Sequence, residues 1–253
     1  MASVDGVVPP ERFPRSSGYD LAWQKRYMMG PNPLWLTEWL AEDLPIGEGA
    51  RVLDLGAGTA LTSVFLAREF GARVTAADLW VDPGDNWRRV REAGVADRVL
   101  PLRAEARDLP FAEGYFDAVV SIDAYHYFGT DDLYLDYLLR FIAPGGRLGI
   151  VSPGLARPVD GTVPERIRPY WQAAYRSFHS AQWWRATFES SQAVRVERAD
   201  TLVDGWKYWL AWNEACTPPE DAADIVAQES AMLRADAGET LGFVRVIARN
   251  GAA

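Results

Sequence analysis

Residues 51–63 read RVLDLGAGTALTS, an apolar run (Val52, Leu53, Leu55) that passes through Gly56 and Gly58 into the helix-favouring stretch 60–70. A strand that runs through glycines into a helix presents bare backbone N–H groups to a ligand. Gly56 and Gly58 reach backbone angles closed to other residues and carry no Cβ to hold a ligand off. Asp54 ends the strand two residues before the first glycine. An acid there repels a diphosphate and favours a positively charged ligand. The dinucleotide pattern G-x-G-x-x-G also fails, because its third position is Leu61.

Two further acids fall where such a sheet would use them. Asp78 follows a second apolar run, 73–77, and lies 20 residues past Gly58, an interval that brings a carboxylate to a ribose. Its two oxygens could then accept from both ribose hydroxyls, with Leu79 and Trp80 packing near the base. Asp123 ends a fourth run, 115–123, and precedes Tyr125-His126-Tyr127. The end of a fourth strand lies at the crossover of an open α/β sheet, where ligands bind. His126 titrates near neutrality when unperturbed, so it is the candidate general base, with Tyr125 beside it. Lining the site or ordering the loop are its other readings.

D-L-G-A-G-T-A resembles motif I of the class I S-adenosylmethionine-dependent methyltransferases, with Ala60 at the usual last glycine. Residues 104–111, AEARDLPF, resemble that family's G-D-A-x-x-L-P-F segment, and 143–147, APGGR, its L-x-P-G-G turn. The general look is that of small-molecule methyltransferases of the ubiquinone/menaquinone and cyclopropane-fatty-acid-synthase groups, with motif-level support over residues 50–152. The resemblance implies S-adenosylmethionine as cofactor. It gives Asp54 the amino-acid end of that molecule, and Glu105 and Ala106 the adenine. It also implies that the segment around Tyr19 and the Gly30 turn closes over the cofactor. Methyl transfer to a small molecule is the expected activity. A non-catalytic S-adenosylmethionine-binding sensor or accessory protein and an NAD(P)-dependent oxidoreductase are the alternatives.

The elements that must position these residues follow from the pattern. The expected fold is α/β: a Rossmann-like, doubly wound seven-stranded sheet, mostly parallel with an antiparallel last strand and a helical N-terminal cap. Residues 1–18 read as a loose leader and 19–253 as one domain. Within it, 19–45 form the cap, 50–152 the cofactor half, and 153–253 the substrate-side helices and last two strands. Helices are predicted over 85–93 and 131–141 and one or two within 164–190, and 204–234 reads as helical. Strands are predicted over 98–102, 148–152, 194–199 and 241–248. Six of the eleven tryptophans fall between Trp171 and Trp212. Most read as plugs between helices and sheet, and the alternative is an aromatic wall for a planar, apolar or cationic acceptor.

Composition narrows the partners. The 253 residues are 49% hydrophobic and 24% charged, ordinary for a globular chain. Net charge is −9 without a basic block, which disfavours nucleic acid and anionic lipid as partners. No apolar run approaches a membrane span, and the first residues lack a signal-peptide pattern, so stable membrane insertion is not expected. The single cysteine, Cys216, suits a cytoplasmic setting. His126 and His179 stand far apart, so no metal is expected. Oligomeric state has no reading in the sequence.

Overall fold

The computed structural model describes residues 11–157 and 162–251. Seven strands form one sheet: β1 (Arg51–Leu55), β2 (Arg73–Asp78), β3 (Val99–Arg103), β4 (Phe116–Ile122), β5 (Ile142–Leu155), β6 (Val194–Thr201) and β7 (Leu241–Asn250). Their order is β3-β2-β1-β4-β5-β7-β6. Pairings from β3 across to β5 are parallel, whereas β7 runs antiparallel to both β5 and β6. The order reverses between β1 and β4, so their C-terminal ends open a crevice.

Side chains of successive strand residues alternate between two cores. Val52, Val74, Val120 and Val151 pack on one face with α2 (Pro33–Ala41), α3 (Leu61–Phe70) and α7 (Gly205–Ala215). Leu53, Leu55, Val119 and Ile150 pack on the other with α5 (Tyr134–Leu139) and α6 (Ala181–Ser190). Asp54 shares the face of Val52, which places its carboxylate under α3.

Several bounds depart from expectation for local reasons. The N-terminal cap does break at Gly30-Pro31-Asn32, as its sequence leads one to expect, into α1 (Leu21–Arg26) and α2, where Asn32 caps the second helix and Pro33 occupies its first turn. The predicted helix 131–141 shortens to α5. Pro144-Gly145-Gly146 is not a turn ahead of the strand but an irregularity within β5, where the register against β4 shifts and Gly145 has φ +77°. The stretch 204–234 is interrupted at Pro218-Pro219, giving α7 and α8 (Ala223–Asp236). The helix expected over 85–93 is α4 (Pro83–Glu92), which begins earlier because Asp82 caps it and Pro83 occupies its first turn.

The leader expected over 1–18 is corrected in its second part, while residues 1–10 lie outside the described residues. Phe13 and Ser16 are buried. Glu38, buried in α2, accepts from Arg15 N at 2.8 Å, Ser16 N at 2.7 Å and Ser16 Oγ at 2.6 Å. A buried carboxylate with three donors pins this stretch to the domain.

Candidate functional site

A cavity of about 420 Å³ opens at the C-terminal ends of β1, β2 and β4, within the range of small-molecule sites. Its floor is the turn from β1 into α3. Gly56 has φ +76° and Gly58 φ +51°, both in the left-handed region. A Cβ on Gly56 would collide with Ala124 Cβ, so only glycine lets the β4 loop lie against this turn. Ala60, the departure from the motif, also has positive φ (63°) and is fully buried.

Asp78 lines the cavity at the end of β2, but its oxygens are already engaged. Oδ2 accepts from Gly58 N at 2.8 Å, and Oδ1 accepts from Trp80 N and Val81 N, each at 2.8 Å. A carboxylate offers about four acceptor sites, and three are taken here. The two-oxygen ribose clamp is therefore corrected: Asp78 ties the β1 and β2 turns together and keeps one site for a ligand hydroxyl. Leu79, Glu105 and Ala106 line the same end. Glu105 is half-buried and engages Arg107, at 3.3 Å to its backbone N and 3.7 Å to its guanidinium.

Asp54 does not open onto the cavity. It is 1% exposed beneath the turn, with Oδ2 accepting from Ser63 Oγ at 2.6 Å and Oδ1 without a partner. Burial pushes its carboxyl up to about 7, with the Asp78 charge adding to the rise and the Ser63 hydrogen bonds opposing it. The orphaned oxygen and raised pKa make it a group that gains from a cation above it.

Asp123 does line the cavity, at the end of β4, in a left-handed conformation (φ 56°) unusual for any residue but glycine, asparagine or aspartate. Its carboxylate has no side-chain hydrogen bond or ion pair among the described residues. Gly30, at φ +83°, brings its backbone so close that a Cβ would collide with Asp123 Oδ2. Burial and then the charge of Glu229, facing it from α8, raise the Asp123 pKa well above the carboxylate range.

Tyr19, Tyr125 and His126 require correction. Tyr19 lies outside the cavity, packed on Phe65 and donating from its hydroxyl to Glu69 at 2.9 Å; Met29, Gly30 and Pro31 line the site in its place. Tyr125 is fully buried on the other face of the sheet, against Trp184, Phe188 and Tyr134, and its hydroxyl has no partner. It cannot touch a ligand in the cavity. His126 lines the cavity, but burial lowers its pKa to about 3, so the imidazole is neutral and a poor base near pH 7. Its Nδ1 is buried without a partner.

The residue that sequence reasoning missed is Glu229. It lines the cavity from α8, with burial raising its pKa and Asn213 and Trp209 beside it holding part of that rise back. Val226, Glu229 and Leu233 recur at helical spacing on the side of α8 that meets the body of the domain. An acid within such a stripe was the available signal. Around it stand Tyr127, Tyr175, Phe178 and Trp209. Among the described residues no three His, Cys, Asp or Glu side chains group as a metal set, and no helix is long and apolar enough to cross a membrane.

The glycine turn, the acids around it and the sheet order are those of a class I S-adenosylmethionine-dependent methyltransferase domain, and the comparisons agree over the cofactor half of the chain. Residues 52–146 match the family described as methyltransferase domain. The chain is 36% identical over 118 residues to methyltransferase GfsG of Streptomyces halstedii, a match covering 46% of this chain and 42% of that protein. It is 35% identical over 159 residues to the demethylmenaquinone methyltransferase of Thermus thermophilus, covering 62% of this chain and 64% of that one. It spans less than two thirds of the length of either relative. Among solved structures, phosphoethanolamine N-methyltransferase 2 of Haemonchus contortus with S-adenosyl-L-methionine superposes with a TM-score of 0.72 at 18% identity, covering 99% of this chain and 60% of that one. That similarity is one of fold.

The cavity fits the cofactor of this family. S-adenosylmethionine carries one net positive charge, on sulfonium and ammonium against a carboxylate. The cavity lining has Asp78, Glu105, Asp123 and Glu229 against the single cation Arg107. The bare backbone at Gly56 and the unpartnered Asp54 Oδ1 and Asp123 carboxylate suit a nucleoside of that charge.

Proposed function

We propose that this protein transfers a methyl group from S-adenosylmethionine to a small-molecule acceptor by in-line displacement. The observation that carries the reading is one acid-lined cavity running from the Gly56–Gly58 turn to an aromatic chamber under α8. When bound, the cofactor supplies an electrophilic methyl group on a sulfonium. The chain's own residues hold and align. The Gly56 and Gly58 backbone admits the nucleoside, and Asp78 fixes the turn and offers one acceptor site to a ribose hydroxyl. Leu79, Glu105 and Ala106 border the base, and Asp123 faces the positive end. The buried Tyr175, Phe178 and Trp209 wall the acceptor and exclude water, with the exposed Tyr127 at the rim, so rate arises from proximity and alignment in a dry site.

His126 contributes as a neutral, site-lining imidazole. Net charge −9 and the acidic lining speak against nucleic acid as acceptor. Cys216, buried with its thiol pushed up to about 12, suits a reducing cytoplasm, where we place the activity. Formation of S-adenosylhomocysteine with a panel of small acceptors tests the proposal. Cofactor binding with no turnover on any of them would assign the protein to sensing instead.

A further inference from the structure

The acceptor end of the cavity holds one more acidic group than the cofactor accounts for. Of the four lining acids, Glu105 pairs with Arg107 and Asp78 accepts three backbone N–H groups. Asp123 and Glu229 remain, neither in an ion pair among the described residues, with Asn213 Nδ2 donating to Glu229 Oε2 at 3.5 Å. The cofactor brings one net positive charge, and Asp123, at the end of β4 beside the Gly56 turn, is placed to meet it. Glu229, reaching in from α8, is left over.

Glu229 sits among aromatic groups, with Trp209, 1% exposed, beside it. Tyr175, 5% exposed, also lines the cavity, and its hydroxyl is buried without a hydrogen-bond partner. His126 Nδ1 is in the same condition. Buried polar atoms are rarely left unpaired, so these point to a polar ligand group at this end. Carboxylate plus aromatic rings is the chemistry that selects an ammonium. A carboxylate or phosphate acceptor would meet two carboxylates and no cation.

We propose that the acceptor is a cationic amine, its ammonium held by Glu229 among Tyr127, Tyr175 and Trp209, with Glu229 accepting the proton that the nitrogen must lose before it attacks. The balance is complete. An N–H bond breaks and the proton passes to the Glu229 carboxylate. The freed lone pair forms the N–CH3 bond, while the electrons of the C–S bond return to sulfur. No oxidant, reductant or metal enters. The raised Glu229 pKa, caused by burial, suits it to hold that proton.

The inference rests on the methyl-transfer reading, and the test separates the two. Protein saturated with S-adenosylhomocysteine is titrated by calorimetry with choline and with 3,3-dimethylbutan-1-ol, which replaces the quaternary nitrogen by carbon. Choline is expected to bind at least about tenfold tighter, and Glu229→Gln to bring the two within about twofold while leaving S-adenosylhomocysteine affinity unchanged. Equal or weaker binding of choline, or no heat from it, overturns the amine. So does a Glu229→Gln variant that folds but loses S-adenosylhomocysteine, which would give Glu229 to the cofactor. Failure of the wild type to bind S-adenosylhomocysteine at all would sink the methyl-transfer reading instead.

Discussion

The two ends of the cavity are built by different means. The nucleoside end, from β1 to β3, is made of backbone: a glycine turn, an Asp78 that ties two turns together, and short loops close in sequence. The acceptor end is made of side chains from distant stretches, with Tyr127 after β4, Tyr175 and Phe178 before α6, Trp209 on α7 and Glu229 on α8. The first end needs particular backbone angles and tolerates few changes. The second needs a certain charge and shape, which many side-chain sets can supply. That division lets one sheet keep its cofactor while its acceptor varies.

Breaking the nucleoside end should have the largest effect. Gly56→Ala puts a Cβ against Ala124 at φ +76°, so cofactor affinity should fall by about 100-fold or more, with strain of roughly 1–3 kcal/mol in the melt. Gly58→Ala, whose Cβ would lie 3.2 Å from the flexible Met29 Sδ, should lose only about tenfold. Equal losses at both positions would remove the special role of Gly56. Calorimetry with S-adenosylmethionine reads both.

Asp54 sharpens the comparison through pH. Its folded pKa, about 7, lies above the ordinary carboxylate value of 3.8, so between them the folded chain binds more protons than the unfolded one. Its contribution to stability is therefore full below that window and is lost as pH rises through about 7. Asp54→Asn should flatten this dependence and raise the melting temperature of the free protein at pH 8, while weakening cofactor binding. In the wild type, cofactor affinity should rise with pH up to about 7, because the ionised carboxylate beneath the turn attracts the cofactor's net positive charge. A variant that binds as well as wild type at pH 8 would deny Asp54 any electrostatic part.

The smallest effect belongs to the Tyr-His corner. Tyr125→Phe removes a buried hydroxyl that has no partner, so turnover should be unchanged and stability should hold or rise by about 1 kcal/mol. The rate profile should show no inflection near pH 6.5 from His126, whose burial keeps it neutral. A hundredfold loss in Tyr125→Phe, or an inflection abolished by His126→Asn, would restore them as acid–base groups.

The same division explains what the sequence revealed. The sheet and its antiparallel last strand were legible from the pattern, and Gly56, Gly58, Asp78 and Asp123, read from their places at strand ends, line one cavity with Glu105 and Ala106, which came from the resemblance of residues 104–111. Asp78 showed its position but not its partners, since the Trp80 and Val81 N–H groups come to it only in the folded turn. Tyr125 and His126 were read as a reactive pair because adjacency in a short helical turn does not say which side faces the sheet. Glu229 lies 106 residues beyond Asp123 in the numbering, and only the packing of α8 over the crevice joins them. Tyr19 was lost for the same reason: the cap closes with Gly30, not with its first aromatic.

Titration of S-adenosylmethionine into the wild-type protein at pH 8, with NADPH as a parallel ligand, decides between a sulfonium nucleoside and a dinucleotide at the Gly56 turn. Saturable one-site heat with S-adenosylmethionine, competition by S-adenosylhomocysteine and no heat with NADPH are expected. A folded sample that gave no heat with the sulfonium nucleoside, or bound the dinucleotide in its place, would contradict S-adenosylmethionine as the cofactor.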